Sequence, residues 1–144
     1  SAFIISRILN DIKRSNPGNL YIPEPGLVFK EKDDEFFVKN LFRKSIIHQE
    51  EYRGLIEKYA KNWDVERIAL MDVLIMVLAL TEIVEFSNIP VKVSLNEYIE
   101  ISKTYSSKNS PNFINGILDK IIVQLKKEGK IVKTGKGLIG ELPT

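Results

Sequence analysis

Eight consecutive apolar residues, Val73-Leu74-Ile75-Met76-Val77-Leu78-Ala79-Leu80, constrain this chain more than anything else in it. The run is far short of the roughly 20 residues that cross a bilayer, so it reads as a core segment. A helix that is apolar on every side must be covered on every side. The run therefore predicts the central helix of a bundle, inside a longer segment from Val65 to about Phe86 that Asp64 caps. One charge close to the run stands out against it, Glu82, which follows the eight apolar residues and one threonine.

The segments on either side repeat a helical period. From Phe3 to Arg14 the residues Phe3, Ile4, Ile5, Ile8, Leu9 and Ile12 predict a short amphipathic helix, which Asn16-Pro17-Gly18 ends. A proline- and glycine-rich stretch follows to Lys32 and reads as a loop. Asp33 or Asp34 then caps a helix bearing Phe36, Phe37, Leu41, Phe42, Ile46 and Ile47, large side chains that belong in a core by default. A further helix over 50–61 carries Tyr52, Leu55, Ile56 and Tyr59 on one face, with Gly54 as its weak point.

Pro90 obliges the central helix to stop before Ile89. Ser94 and Glu97 have capping-box spacing and predict a new helix there. Ser110 with Pro111 predicts another, in which Phe113, Ile114, Ile117, Leu118 and Ile121 form a buried stripe. Gly116 within that stripe costs about 1 kcal/mol relative to Ala, which predicts that another element presses against it. The chain lacks a sustained strand pattern and an internal repeat, so the fold class is all-α.

One ordered set of residues carries a family resemblance. Val93-Ser94-Leu95-Asn96-Glu97, Glu100, Ser102-Lys103, Tyr105, Ser110 and Phe113-Ile114-Asn115-Gly116-Ile117-Leu118-Asp119 resemble the C-terminal half of the NusB transcription antitermination family. The match runs back through Pro90 to Glu82 and more weakly to Phe36. Val77 and Thr81 stand where that family usually has arginine and tyrosine, and nothing in 1–14 matches its arginine-rich first helix. The resemblance implies a NusB-like helical bundle over 33–128, after an N-terminal helix and linker over 1–32 and before a basic, mobile tail over 129–144.

It also implies a function: a non-catalytic factor that binds single-stranded RNA of ribosomal-leader type and the ribosomal protein NusE within an RNA polymerase elongation complex. Glu82 is then either an exposed helix end or the contact to NusE. Asp119 either approaches RNA or bonds a neighbouring helix end. Lys120, Lys126, Lys127 and Lys130, with Lys133 and Lys136 beyond, suit phosphate contacts or form a solvated face. Two other readings compete, the RNA-binding domain of a ribosomal-RNA cytosine methyltransferase and a protein-interaction module without RNA. The first would need a Gly-rich loop for its methyl donor, and none follows the motif.

Charge and composition add bounds. With 21 Lys and Arg against 19 Asp and Glu, net charge alone does not announce a nucleic-acid ligand, so distribution has to decide. The chain has no cysteine, which removes disulfides and thiolate metal sites and fits a reducing cytoplasm. His48, the sole histidine, has no nucleophile placed beside it, and neither a metal, a cofactor nor a membrane is expected. The opening Ser1-Ala2 and the missing arginine-rich helix lead to the expectation of a longer protein.

Overall fold

The computed structural model describes residues 32–63, 65 and 67–140. The predicted helix at Phe3–Arg14, its following loop and the Asp64 cap lie outside them. Among the described residues there are four α-helices, α1 (Lys32–Ala60), α2 (Leu70–Glu85), α3 (Val91–Tyr105) and α4 (Ser110–Lys127), and a 3₁₀ turn (Gly135–Leu138). None of them is long and apolar enough to cross a membrane.

The apolar run becomes α2, and α2 packs against α1, α3 and α4. Ile75, Met76, Leu78, Ala79, Leu80 and Ile83 are all fully or almost fully buried. Each large aliphatic among them contributes about 1.5–3 kcal/mol through burial. α1 and α4 close the bundle by touching one another, with Leu41, Tyr52 and Ile56 meeting a core that includes Ile114, Ile117, Ile121 and Leu125.

Several boundaries differ from the sequence reading. The helices expected on either side of His48 are one 29-residue helix, because nothing between Ile47 and Glu50 breaks a helix. Asp33 and Asp34 consequently lie within α1 and not at a cap. Phe36, Ile46 and Ile47 are exposed, since they lie off the inward face defined by Val38, Leu41, Tyr52 and Ile56. α2 begins only at Leu70, with Ala69 in extended conformation as its cap residue.

The serine caps are also displaced. α3 starts directly after Pro90, whose carbonyl accepts from the Val93 and Ser94 amides. Ser94 is therefore a fully buried residue inside the helix. Ser110 is the first helical residue of α4 behind Asn109, and its hydroxyl donates to Asp72 Oδ2 at 3.0 Å. Both hydroxyls point at buried carboxylates of α2 instead of at their own helix amides, which follows from α2 carrying charge into an apolar layer.

The carboxylate facing Ser94 is Glu82, 1% exposed. Tyr98 donates to its Oε1 at 3.4 Å, while Oε2 and the Ser94 hydroxyl complete no hydrogen bond. Burial pushes the Glu82 carboxyl above the ordinary range, and Glu97 adds to the rise. The nearby Ser94 and Tyr98 hydroxyls and Lys133 oppose it.

The expectation for Gly116 is met by Trp63, whose Cζ2 would lie 2.6 Å from a Cβ added there. A Cβ at Gly54 meets nothing within 4 Å. Gly54→Ala should therefore raise stability by about 0.5–1 kcal/mol, the helix-propensity gain alone. Gly116→Ala should lower it by about 1 kcal/mol in the wild-type chain through overpacking, yet raise it when Trp63 is also alanine. Urea midpoints of the four combinations at Gly116 and Trp63 measure this, and equal effects in both backgrounds would contradict the contact.

Glu82 generates a pH prediction. Its folded-state pKa is raised, so the folded chain holds this proton more tightly than the unfolded chain. Its contribution is then most favourable below the ordinary carboxylate value and is lost as pH rises through that value towards the folded one. Unfolding free energies at about pH 4 and about pH 7 should show Glu82→Gln removing this loss. An unchanged difference between the two pH values would contradict it.

Candidate nucleic-acid interface

α4 buries Phe113, Ile114, Ile117, Leu118, Ile121, Ile122 and Leu125. The opposite face carries Asn112, Asn115, Asp119, Lys120, Val123, Lys126 and Lys127, all exposed. These positions recur every three or four residues, so they form one stripe about 22 Å long. Asp119 bonds no neighbouring helix end among the described residues, and Lys120 and Lys127 make no ion pair there. The tertiary structure thus brings together four predicted residues, Asp119, Lys120, Lys126 and Lys127.

Lys130 goes elsewhere. Gly129, at φ 68°, ends α4 in a Schellman turn, with its amide on the Lys126 carbonyl and the Lys130 amide on Leu125. The reversal sends the Lys130 ammonium to Glu51 of α1 at 3.3 Å and to Glu128 at 3.1 Å. Hydrogen bonds to Glu128 and then Glu51 raise its pKa. The pairs are solvent-exposed and contribute little to stability.

At the start of the α4 stripe lies an open cleft of about 500 Å³. The Trp63 amide bonds the last carbonyl of α1, on Ala60, and the indole lies over Gly116. It meets Phe113 edge-on, with ring centroids 5.3 Å apart and planes at 88°. Asp72 and Ser110 line the cleft's inner side, and Arg67, Asn109 and Asn112 also border it. Ser110 Oγ accepts from the Ser107 amide and donates to Asp72, whose Oδ1 is buried without a partner. A partly exposed indole, a carboxylate acceptor and an arginine are what an unstacked nucleobase and its phosphate require.

Sequence reasoning missed Trp63, Arg67, Asp72 and Phe113 as a group. Two signals were present: a lone tryptophan in a polar connection, and a mid-helix glycine in need of a covering ring. Their convergence depends on the α1–α2 connection folding across α4, and no local pattern encodes that.

Other expectations are corrected. Glu82 is buried and so is not an exposed helix end. Residues 131–140 of the basic tail lie against the bundle, with the Thr134 amide on the Ser87 carbonyl at 3.0 Å. His48 sits between Glu85, 3.2 Å from Nε2, and Glu51, 3.6 Å from Nδ1, and its ring lies against Tyr52. No group of three metal-ligating side chains assembles among the described residues.

Comparisons with known proteins agree with this architecture. The NusB family model matches residues 24–123. The transcription antitermination protein NusB of Salinibacter ruber is 44% identical over 104 residues, 72% of this chain and 65% of that protein. That of Chloroherpeton thalassium is 43% identical over 88 residues, 61% of this chain and 41% of the relative. That of Alkaliphilus oremlandii is 38% identical over 94 residues, 65% and 68%. The chain thus spans less than two thirds of the length of the first two relatives. A solved structure of T. maritima NusB superposes with a TM-score of 0.64 over 85% of this chain and 87% of its own, at 24% identity, and so shares the fold. With the family model covering most of the chain and the Phe113–Asp119 motif lying on the helix that borders the cleft, the chain belongs to the NusB family.

Proposed function

We propose that this chain is a non-catalytic transcription antitermination factor that binds single-stranded RNA of ribosomal-leader type through the cleft and the exposed face of α4. It acts beside a ribosomal protein of the NusE type in an RNA polymerase elongation complex. The observation that carries the RNA reading is the continuity of two chemistries. The Trp63–Phe113 cleft offers stacking and hydrogen bonds at one end of α4, and Lys120, Lys126 and Lys127 offer phosphate contacts along it. The names of the curated relatives support the antitermination role. Lys130 pairs with Glu51 and Glu128 away from this surface, which supports a reading in which the helix and not the tail meets RNA.

Each phosphate contact to a single strand contributes about −0.7 to the log–log salt slope. If Arg67, Lys120, Lys126 and Lys127 all engage, the slope should lie near −3. Lys127→Gln should weaken binding and flatten the slope by about 0.7. Trp63→Leu should cost about 1–3 kcal/mol of stacking with the slope unchanged. Asp119→Asn should tighten binding, because a carboxylate among phosphates repels them. Fluorescence titration of a single-stranded ribosomal leader RNA over a range of salt measures all of these. No binding, or binding that ignores both Trp63 and Lys127, would favour a protein-interaction module instead.

A further inference from the structure

Asp72 stands in the first turn of α2 and is only 6% exposed, yet it belongs to the lining of the Trp63–Phe113 cleft. The N-terminal ends of two helices meet at its carboxylate, α2 through its own first turn and α4 through Ser110. Both ends favour a negative charge there. The Ser110 hydroxyl donates to Asp72 Oδ2 at 3.0 Å and accepts from the Ser107 amide at 3.1 Å, with the Ser107 hydroxyl 2.8 Å away. Its hydrogen-bonding capacity is used up, so it orients the carboxylate and cannot also serve Oδ1.

Oδ1 is buried and has no hydrogen-bond partner among the described residues. A carboxylate oxygen withheld from water in this way is costly, and a ligand edge bearing N–H groups would remove that cost. The rest of the lining narrows what such an edge belongs to. Trp63 keeps 38% of its surface exposed and offers a ring on which a base can stack, while Arg67, Asn109 and Asn112 place donors around the rim. A cleft of about 500 Å³ has the size of a small-molecule site, enough for one nucleoside.

The four RNA bases differ in what they would turn towards a carboxylate. Guanine carries N1–H and the N2 amino group side by side, two donors that one carboxylate accepts together. Uracil sets its N3–H between two carbonyls, and adenine and cytosine each set a ring-nitrogen acceptor beside their amino group. Those three bases bring an acceptor up to Asp72, which repels it. Guanine O6, next to N1, is left for the amide and guanidinium donors of the rim.

We infer that the cleft reads guanine: Asp72, oriented by Ser110, accepts from the N1–H and N2 amino groups of an unstacked guanosine in single-stranded RNA. The inference rests on the RNA-binding reading above and adds a base identity to it. Asp72 then supplies sequence choice, and Lys120, Lys126 and Lys127 supply affinity without it.

Trp63 is the sole tryptophan of the chain, so its emission reports on the cleft directly. The full chain is titrated with an octamer of uridines and with octamers whose central residue is guanosine, inosine, adenosine or cytidine. The guanosine octamer should quench Trp63 and bind about tenfold or more tighter than the other four. Inosine lacks only the N2 amino group, so its loss of the advantage tests the second donor in the wild-type chain. Asp72→Asn replaces an acceptor with a donor and should abolish the preference while leaving affinity for the uridine octamer unchanged. A preference for guanosine that survives in Asp72→Asn, or that inosine shares in full, would overturn the paired contact to Asp72. Equal binding of all five octamers would overturn the guanine assignment and leave the RNA reading standing, whereas binding of none would overturn both.

Discussion

A single helix that must be dry on every side governs this structure. α2 is covered by α1, α3 and α4, yet it carries two buried carboxylates, Asp72 near its start and Glu82 near its end. They stand ten residues apart, about 15 Å along the axis. A charge in an apolar layer has to be answered by polar groups from neighbouring elements. Each of these two faces a serine that the sequence pattern places at a helix cap. Ser110 joins Asp72, and Ser94 faces Glu82.

The two ends have acquired different surroundings. At Asp72 the polar cluster opens into the cleft walled by Trp63 and Phe113, so the unpaired Oδ1 lies close to a space that can admit a ligand. At Glu82 the cluster is closed by α3 and approached by Lys133 from the C-terminal segment. One end therefore opens towards solvent, and the other is closed within the bundle. α4 connects these roles: its exposed stripe leads from the cleft to Lys126 and Lys127, and its Schellman turn launches the segment that returns to Ser87.

Glycine marks both places where elements approach most closely. Gly116 lets the edge of the Trp63 indole approach α4, and Gly137 lets the returning segment meet a backbone carbonyl. Gly54, in contrast, faces open space. Helix propensity alone treats Gly54 and Gly116 alike, and only the neighbouring atoms distinguish a packing requirement from a tolerated cost.

The sequence by itself determined that the chain is helical, that residues 73–80 lie at its centre, that Pro90 separates α2 from α3, and that Gly116 has a partner. Each of these follows from local chemistry: hydrophobic period, a locked φ, a missing side chain. The motif from Val93 to Asp119 also made the family legible, and Asp119, Lys120, Lys126 and Lys127 share one helix face as the 3.6-residue period requires. Only the tertiary structure decided which ring covers Gly116, that Glu82 is inside, that Ser94 and Ser110 serve α2 and not their own helix ends, and that Lys133 is buried at Phe86. These are contacts between residues up to 53 positions apart, from Trp63 to Gly116. A burial cost is met by whichever element the packed core brings near, and a pattern read within one helix holds no information about its neighbours.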